Sequence, residues 1–137
     1  EYEWDFVQIQ ANYCDWHNDK DKGRSGEYLY NRLAELEIPA VIMEPLLGGR
    51  LSKVPDHVVA HLKQRDPESS VASWAFRYIG SKPNVLTVLS GMTYMEHLED
   101  NIRTYSPLKP LSEEEQKWLD GETATLINSY PTIDCND

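Results

Sequence analysis

Three short apolar segments, each followed by a helix-like segment, constrain the fold of this chain more than any other feature. The segments are "WDFVQIQAN" (4–12), "IPAVIMEPLLGGR" (38–50) and "NVLTVLS" (84–90), and each begins as a run of strand length rich in apolar residues. Strands that alternate with helices form a parallel sheet with right-handed crossovers. The sequence therefore predicts an α/β fold of three consecutive parallel βα units.

Short motifs at the starts of three helices predict where those helices begin. An Asn, Asp, Ser or Thr cap accepts a hydrogen bond from a first-turn amide, and a Glu three residues later completes a capping box. Proline is well suited to the first helical position, as after Asp66, and glycine to the end of a helix, as at Gly80. The predicted caps are Asp66 before Pro67, Thr93 with Glu96, and Ser112 with Glu115.

Composition and charge exclude several classes of protein. A chain of 137 residues with 40% hydrophobic residues can bury a core of its own. The net charge of −10 argues against nucleic acid as a partner, because such a chain releases few counterions from a phosphate backbone. No apolar run approaches the roughly 20 residues that span a bilayer, and no signal peptide is recognisable. We expect a cytoplasmic protein with no membrane partner.

The segment "LSGMTYMEHLEDN" (89–101) predicts an anion site at a strand-to-helix turn. Gly91 would allow close approach of the backbone to a ligand, and the amides of the following helix carry partial positive charge. The alternative is an ordinary, well-capped turn, which would be preferred if this turn stood alone.

Three segments together resemble a known family. "FVQIQANYCDW", "IPAVIMEPLLGGRLS" and "LSGMTYMEHLEDN", in this order, resemble the last three strand–loop units of the aldo-keto reductases. These are (β/α)8 TIM barrels that transfer hydride between a nicotinamide cofactor and a carbonyl or alcohol. The resemblance implies that residues 1–137 are a C-terminal fragment of a barrel, with βα units to about residue 106 and a C-terminal helix and tail at 107–137. We prefer this interpretation to a complete small three-layer α/β domain.

The resemblance assigns the first two loops to the nicotinamide and pyrophosphate of NADP or NAD. Gln8 matches the glutamine that binds the nicotinamide carboxamide; the alternative is a buried polar residue inside the barrel. Met43 stands where many members stack an aromatic ring on the nicotinamide. The pyrophosphate loop matches Glu44, Pro45, Leu46 and Gly48, with glutamate in place of the usual serine. We expect Glu44 to turn away from a phosphate or to pair, for instance with Arg50.

The third loop matches the family segment that holds the adenosine end of the cofactor. Gly91, Met92 and Thr93 correspond to the phosphate contacts, and Asp100 and Asn101 correspond to the pair that holds adenine. NADPH-preferring members usually place Arg or Lys in this loop to bind the 2′-phosphate.

This sequence offers Tyr94 and His97 instead of those basic residues. The choice between NADH and NADPH therefore stays open.

The family's catalytic aspartate, tyrosine, lysine and histidine belong to barrel strands that this chain lacks. We therefore assign no catalytic residue, and we expect the chain alone to be inactive although its parent protein would reduce a small carbonyl substrate. Two local clusters could be drawn as sites, but both have a simpler interpretation. Tyr13, Asp15 and His17 are commonplace loop residues, and His57 with His61 has the spacing of a metal pair but no third ligand, which favours a solvated helix face.

The tail "SYPTIDCND" resembles the start of the cysteine-rich segment of one aldo-keto reductase subfamily, where cysteines bind an iron–sulfur cluster of the 4Fe-4S type. Cys135 would be the first metal ligand in a longer parent chain, and one cysteine cannot hold a cluster that needs about four thiolates. The alternative is an incidental cysteine, and the "MEPLLGG" loop favours the cluster subfamily between the two. Cys14 is expected to be a core thiol.

Two functional classes remain from the sequence. The preferred one is part of a reductase barrel that contributes cofactor-contacting loops, and the alternative is a non-catalytic interaction module that self-associates or docks to another chain. In either case we expect the isolated chain to be a homo-oligomer, because open strand edges and barrel-interior residues need cover. We expect Phe6, Ile42 and Leu86 to be among those uncovered residues.

Overall fold

The computed structural model describes residues 3–18 and 25–129, which fold around a three-stranded parallel sheet. The strands are β1 (Val7–Gln10), β2 (Ala40–Met43) and β3 (Val85–Val88), and β2 lies between the other two. An irregularity between Ala40 and Val41 shifts the register of the β2–β3 pairing. The predicted parallel sheet is confirmed.

Helices follow each strand, and two of them separate β2 from β3. A short 3-10 turn at Arg50–Ser52 precedes this pair. The C-terminal helix comprises two α-helical stretches, Glu113–Trp118 and Ala124–Asn128, joined by a π-helical segment at Leu119–Thr123. No helix in the described ranges is long and apolar enough to cross a membrane. The helices are α1 (Gly26–Glu35), α2 (Asp56–Arg65), α3 (Val71–Gly80), α4 (Met95–Tyr105), α5 (Glu113–Trp118) and α6 (Ala124–Asn128).

The capping box predicted at the last helix is confirmed. The side chain of Ser112 accepts a hydrogen bond from the amide of Glu115, and the Glu115 carboxylate accepts one from the amide of Ser112. Both groups use only local sequence, which explains why this motif is readable without the fold.

The other two predicted caps are wrong. Tyr94 is extended and precedes the first residue of α4, so Thr93 lies one position too early to cap it. Before α3, the Asp66 carboxylate binds the amides of Glu68 and Ser69 in a local turn. The helix begins later, where the hydroxyl of Ser70 accepts from the amide of its third residue.

The hydrophobic core lies on one face of the sheet, between the strands and the helices. Ile9 of β1 and Ile42 of β2 point into it and belong to the same buried cluster as Trp74 and Tyr78 of α3. Aromatic edges extend this core, because Tyr78 contacts Trp16 at 5.8 Å between ring centroids. Helix α3 therefore helps to cover this face of the sheet beside β3, and α1 covers it beside β1.

The opposite face of the sheet is largely exposed, apart from the buried Val41 of the central strand. Phe6 is 52% exposed and Leu86 is 61% exposed, as expected for residues that lack cover. Ile42 contradicts the expectation, because it is fully buried. Side chains alternate along a strand, so Ile42 faces the helices while its neighbour Met43 lies at the open side.

Replacing Ile42 by Ala should destabilise the fold by about 2–5 kcal/mol, because the truncation leaves a cavity in the core. Leu86→Ala, which removes apolar atoms from an exposed side chain, should change the free energy of unfolding by less than about 0.5 kcal/mol. Urea unfolding of the two variants beside the wild type measures both values. Equal losses would contradict the assignment of the two faces.

Candidate functional site

One cavity of about 740 Å³ lies beyond the carboxyl ends of β2 and β3. Its walls are the loop after β2, the turn between β3 and α4, and one side of α3. The structure thus brings two of the three sequence motifs to a common space. The residues of the predicted cofactor site that line it are Met43, Glu44, Pro45, Leu46, Gly48, Gly91, Met92, His97, Asp100 and Asn101.

Gln8 and Thr93 are the two predicted site residues that do not line the cavity. Gln8 lies on the open face of the sheet, where its side-chain amide donates to the sulfur of Met43 at 3.2 Å. Because Met43 of the neighbouring strand β2 lines the cavity, this contact places Gln8 next to the cavity rim. Ala72 and Phe76 of α3 line the cavity and were not identified from the sequence, because their helix carries no ligand-binding motif.

The loop after β2 is a tight turn with an unusual backbone. Glu44, Leu47, Gly48 and Gly49 all have φ values between 50° and 87°. That left-handed region is unfavourable for the two residues that carry a Cβ. The Asn12 side chain donates to the carbonyl of Glu44 at 3.3 Å, which ties the turn to the end of β1.

The Glu44 carboxylate accepts a hydrogen bond from the amide of Gly48 within the same turn. The sequence left open whether this carboxylate turns away from a ligand or pairs with a cation such as Arg50. The structure assigns it instead to a backbone amide at the cavity wall. This glutamate therefore satisfies a donor in the segment that the resemblance gives to the pyrophosphate.

The turn between β3 and α4 leaves space for a ligand. A Cβ added to Gly91 would meet nothing within 4 Å, so no packing contact in the described chain fills this position. The Tyr94 side chain makes no capping bond to the first turn of α4. Amides at such an unpaired helix start can bind an anion.

The two residues matched to adenine are already held by other side chains. Asn101 donates from its amide nitrogen to the hydroxyl of Ser90 at 3.0 Å, which braces the turn. The Asp100 carboxylate accepts from the Ser70 hydroxyl at 2.5 Å, at the start of α3. Both side chains thus connect α4 to neighbouring elements at the edge of the cavity.

The charge of the cavity lining is acidic. The carboxylates of Glu44, Glu96 and Asp100 contribute to it, and among the described residues that line it there is no Lys or Arg. His97 is the basic side chain of the lining, and its ring packs edge-on against Tyr94 at 5.4 Å. A phosphate group bound in this cavity would therefore meet no lysine or arginine side chain of the described lining.

Tyr13, Asp15 and His17 do not form an acid–base group. Tyr13 points into the core, and its buried hydroxyl has no hydrogen-bond partner in the described part of the chain. The Asp15 carboxylate accepts from the Asn12 side chain. His17 lies elsewhere, 2.8 Å from the Glu27 carboxylate and 3.3 Å from that of Asp120.

The histidine pair on α2 does not form a metal site with its surroundings. His61 stacks on Trp118 with 4.5 Å between ring centroids, and its Nε2 lies 3.2 Å from the Thr123 hydroxyl. Residues 3–18 and 25–129 contain no group of three or more His, Cys, Asp or Glu side chains placed to hold a metal ion.

Of the two cysteines, the structure describes Cys14. Cys14 is a half-buried thiol packed against the core, and burial raises its pKa to about 12. Cys135, the predicted cluster ligand, lies outside the described residues.

A polar cluster of Tyr78, Lys82 and Asp120 anchors the C-terminal helix to the core. The buried Tyr78 hydroxyl donates to the Asp120 carboxylate at 2.8 Å. The Lys82 ammonium lies 3.9 Å from the ring centroid of Trp16 and donates to the Gln116 side chain. Burial lowers the pKa of Lys82 to about 8. Because Tyr78 is fully buried, the cluster has a structural role.

The lowered pKa of Lys82 predicts a pH effect on stability. Between about pH 8 and the ordinary lysine pKa of 10.5, the unfolded chain binds more protons at this site than the folded chain does. The wild type should therefore gain stability relative to Lys82→Met as the pH rises through about 8. Urea unfolding of both proteins from about pH 7.5 to about pH 9.5 measures the difference. A difference that stays constant with pH would contradict the burial of a charged lysine.

Comparisons with known proteins relate the fold to one family. No family model matches the chain, and no curated protein matches it. Solved structures do match: the apo form of aldo-keto reductase AKR11C1 from Bacillus halodurans aligns with a TM-score of 0.63 and 16% identity over 91% of this chain. The holo form of that enzyme aligns with a TM-score of 0.60 and 17% identity over 88% of this chain.

A thermostable aldo-keto reductase, Tm1743, in complex with the inhibitor epalrestat, aligns with a TM-score of 0.58 and 25% identity over 82% of this chain. The chain covers 44%, 41% and 38% of these three structures, taken in the order apo, holo and Tm1743, and so spans about two-fifths of their length. These matches show that the chain has an α/β fold that corresponds to part of an aldo-keto reductase TIM barrel.

Proposed function

We propose that this chain is part of an NAD(P)H-dependent aldo-keto reductase and contributes loops that contact the cofactor. The carrying observation is the cavity at the carboxyl ends of β2 and β3, which gathers residues from both loops matched to the cofactor. In TIM-barrel enzymes, active sites form at this end of the strands. The fold likeness to solved aldo-keto reductases supports the same assignment.

The residues present fit a dinucleotide. A cavity of about 740 Å³ lies in the range of small-molecule sites, and the space beside Gly91 leaves the turn accessible. The loop after β2 and the start of α4 would hold the phosphates, and Asn101 would face the adenine. Met43 and its neighbour Gln8 would hold the nicotinamide, which supplies hydride transfer when bound.

We infer further that the site takes NADH in preference to NADPH. The extra 2′-phosphate of NADPH adds negative charge, and the cavity lining already holds the carboxylates of Glu44, Glu96 and Asp100. Fixed guanidinium or ammonium groups normally bind such a phosphate. The described lining offers His97 in their place.

Titration followed by ligand fluorescence should give a dissociation constant for NADPH that is about fivefold or more above that for NADH. His97→Arg should lower the constant for NADPH and leave that for NADH nearly unchanged, because the guanidinium pairs with the 2′-phosphate. His57→Arg is the matched control, since this substitution adds the same charge at a position outside the cavity lining. Equal affinities for both cofactors in the wild type would contradict the preference, and no saturable binding of either would contradict the proposed function.

The remaining barrel strands would supply the catalytic half and the carbonyl site, so this chain alone would not catalyse reduction. Its open sheet face and the outer side of α4 would then pack against those strands. Leu98 and Ile102 of α4 are partly exposed and share a helical side, which supports an apolar interface there. An iron–sulfur cluster beyond Cys135 and a cytoplasmic location stay predictions.

The same exposed surface supports the second candidate, an interaction module that docks to itself or to another chain. The two functions differ in what fills the cavity, because only the first requires a nucleotide there.

On either account the isolated chain should self-associate through its open sheet face. Light scattering at high protein concentration should give a mass above that of the monomer. A Phe6→Ser and Leu86→Ser double variant should shift the mass toward the monomer, because it removes apolar surface from that face. Tyr28→Ser, at an exposed position on α1, is the control for general loss of apolar surface. A wild-type monomer at all concentrations would contradict the prediction.

A further inference from the structure

We propose that Glu44 is an internal anion that competes with a ligand phosphate for the Gly48 amide and so determines which ligands the site accepts. The inference rests on the proposed nucleotide function of the cavity. Its basis is the hydrogen bond between the Glu44 carboxylate and the Gly48 amide, at residues that both line the cavity.

The position of this carboxylate is fixed by the backbone around it. The Glu44 carbonyl accepts from the amide of Leu47 at 3.0 Å and from the Asn12 side chain at 3.3 Å. Glu44 itself has a φ of 56°, a conformation that a residue with a Cβ adopts rarely. The turn thus holds the Glu44 side chain over Gly48, four residues further along, where the carboxylate reaches the Gly48 amide.

A backbone amide at a glycine-rich turn is a typical donor to phosphate oxygens. In this chain the donor of Gly48 is already satisfied by a negative charge, so a phosphate that binds there must displace the carboxylate. A displaced carboxylate that stays near the phosphate repels it. Glu44 should therefore weaken the binding of phosphate-bearing ligands and leave uncharged ligands unaffected.

The other two carboxylates of the lining differ from Glu44 in their contacts. Asp100 is held by the Ser70 hydroxyl at the side of α3. Glu96 lies in the first turn of α4. Among the described lining residues, Glu44 is the carboxylate that binds an amide of the loop matched to the pyrophosphate.

Glu44→Gln tests the inference, because the glutamine oxygen can still accept from the Gly48 amide while the charge is removed. Glu99→Gln, at an exposed position of α4 outside the cavity lining, is the control for the change in net charge. Each protein is titrated with NADH and with adenosine, which carries no phosphate. Amide NMR spectra follow Gly48 and Gly91 in every titration.

We expect Glu44→Gln to bind NADH about fivefold to tenfold more tightly than the wild type, with adenosine affinity unchanged and Glu99→Gln like the wild type. In the free protein, the Gly48 amide signal should move between the wild type and Glu44→Gln, since its acceptor loses a charge. In the wild type, NADH should move the same signal by displacing the carboxylate.

An unchanged or weaker affinity of Glu44→Gln for NADH would overturn the role of Glu44 while leaving the nucleotide site in place. A Gly48 amide that does not respond to Glu44→Gln would do the same. No saturable binding of NADH or adenosine to any of the three proteins would overturn the proposed function together with this inference.

Discussion

The packing of α3 into the hydrophobic core beside β3 supports the rest of the structure. Trp74 and Tyr78 are fully buried there, and burying a large apolar side chain stabilises a fold by about 1.5–3 kcal/mol. Their rings also meet Trp118 and Trp16, at 5.5 Å and 5.8 Å between centroids. The C-terminal helix and the loop after β1 therefore both depend on this one helix.

The same helix connects the core to the cavity. While its buried side covers the sheet, Phe76 and the neighbouring Ala72 form a wall of the cavity. Tyr105 of α4 donates to the Phe76 carbonyl at 3.2 Å, and the Ser70 hydroxyl at the start of α3 donates to Asp100. A change in the packing of α3 would thus alter the position of α4 and the turn before it as well as the core.

The sequence predicted the features that rest on local patterns. Apolar runs predicted the three strands, and their alternation with helices predicted the parallel pairing. The Ser112 motif predicted a capping box that needs no tertiary contact. The ordered motifs also predicted residues from two loops that the fold gathers around one cavity, although their role toward a cofactor stays a proposal.

Features set by tertiary contacts were not predictable in the same way. The side of the sheet that Ile42 faces depends on strand alternation relative to the helices, and a displacement of one residue reverses it. From the sequence alone, the Glu44 carboxylate could have accepted from several donors, Arg50 among them, but the left-handed backbone of its turn brings it to the Gly48 amide. The cavity wall formed by α3 comes from a helix that carries no ligand-binding motif.

A map of amide NMR shifts on addition of NADH tests the central claim, that the loops after β2 and β3 form one nucleotide site. We expect saturable shifts in both residues 43–49 and residues 89–101, with a single dissociation constant and little change elsewhere. Shifts confined to one of the two segments, shifts centred on other parts of the chain, or no shift at millimolar NADH would contradict it.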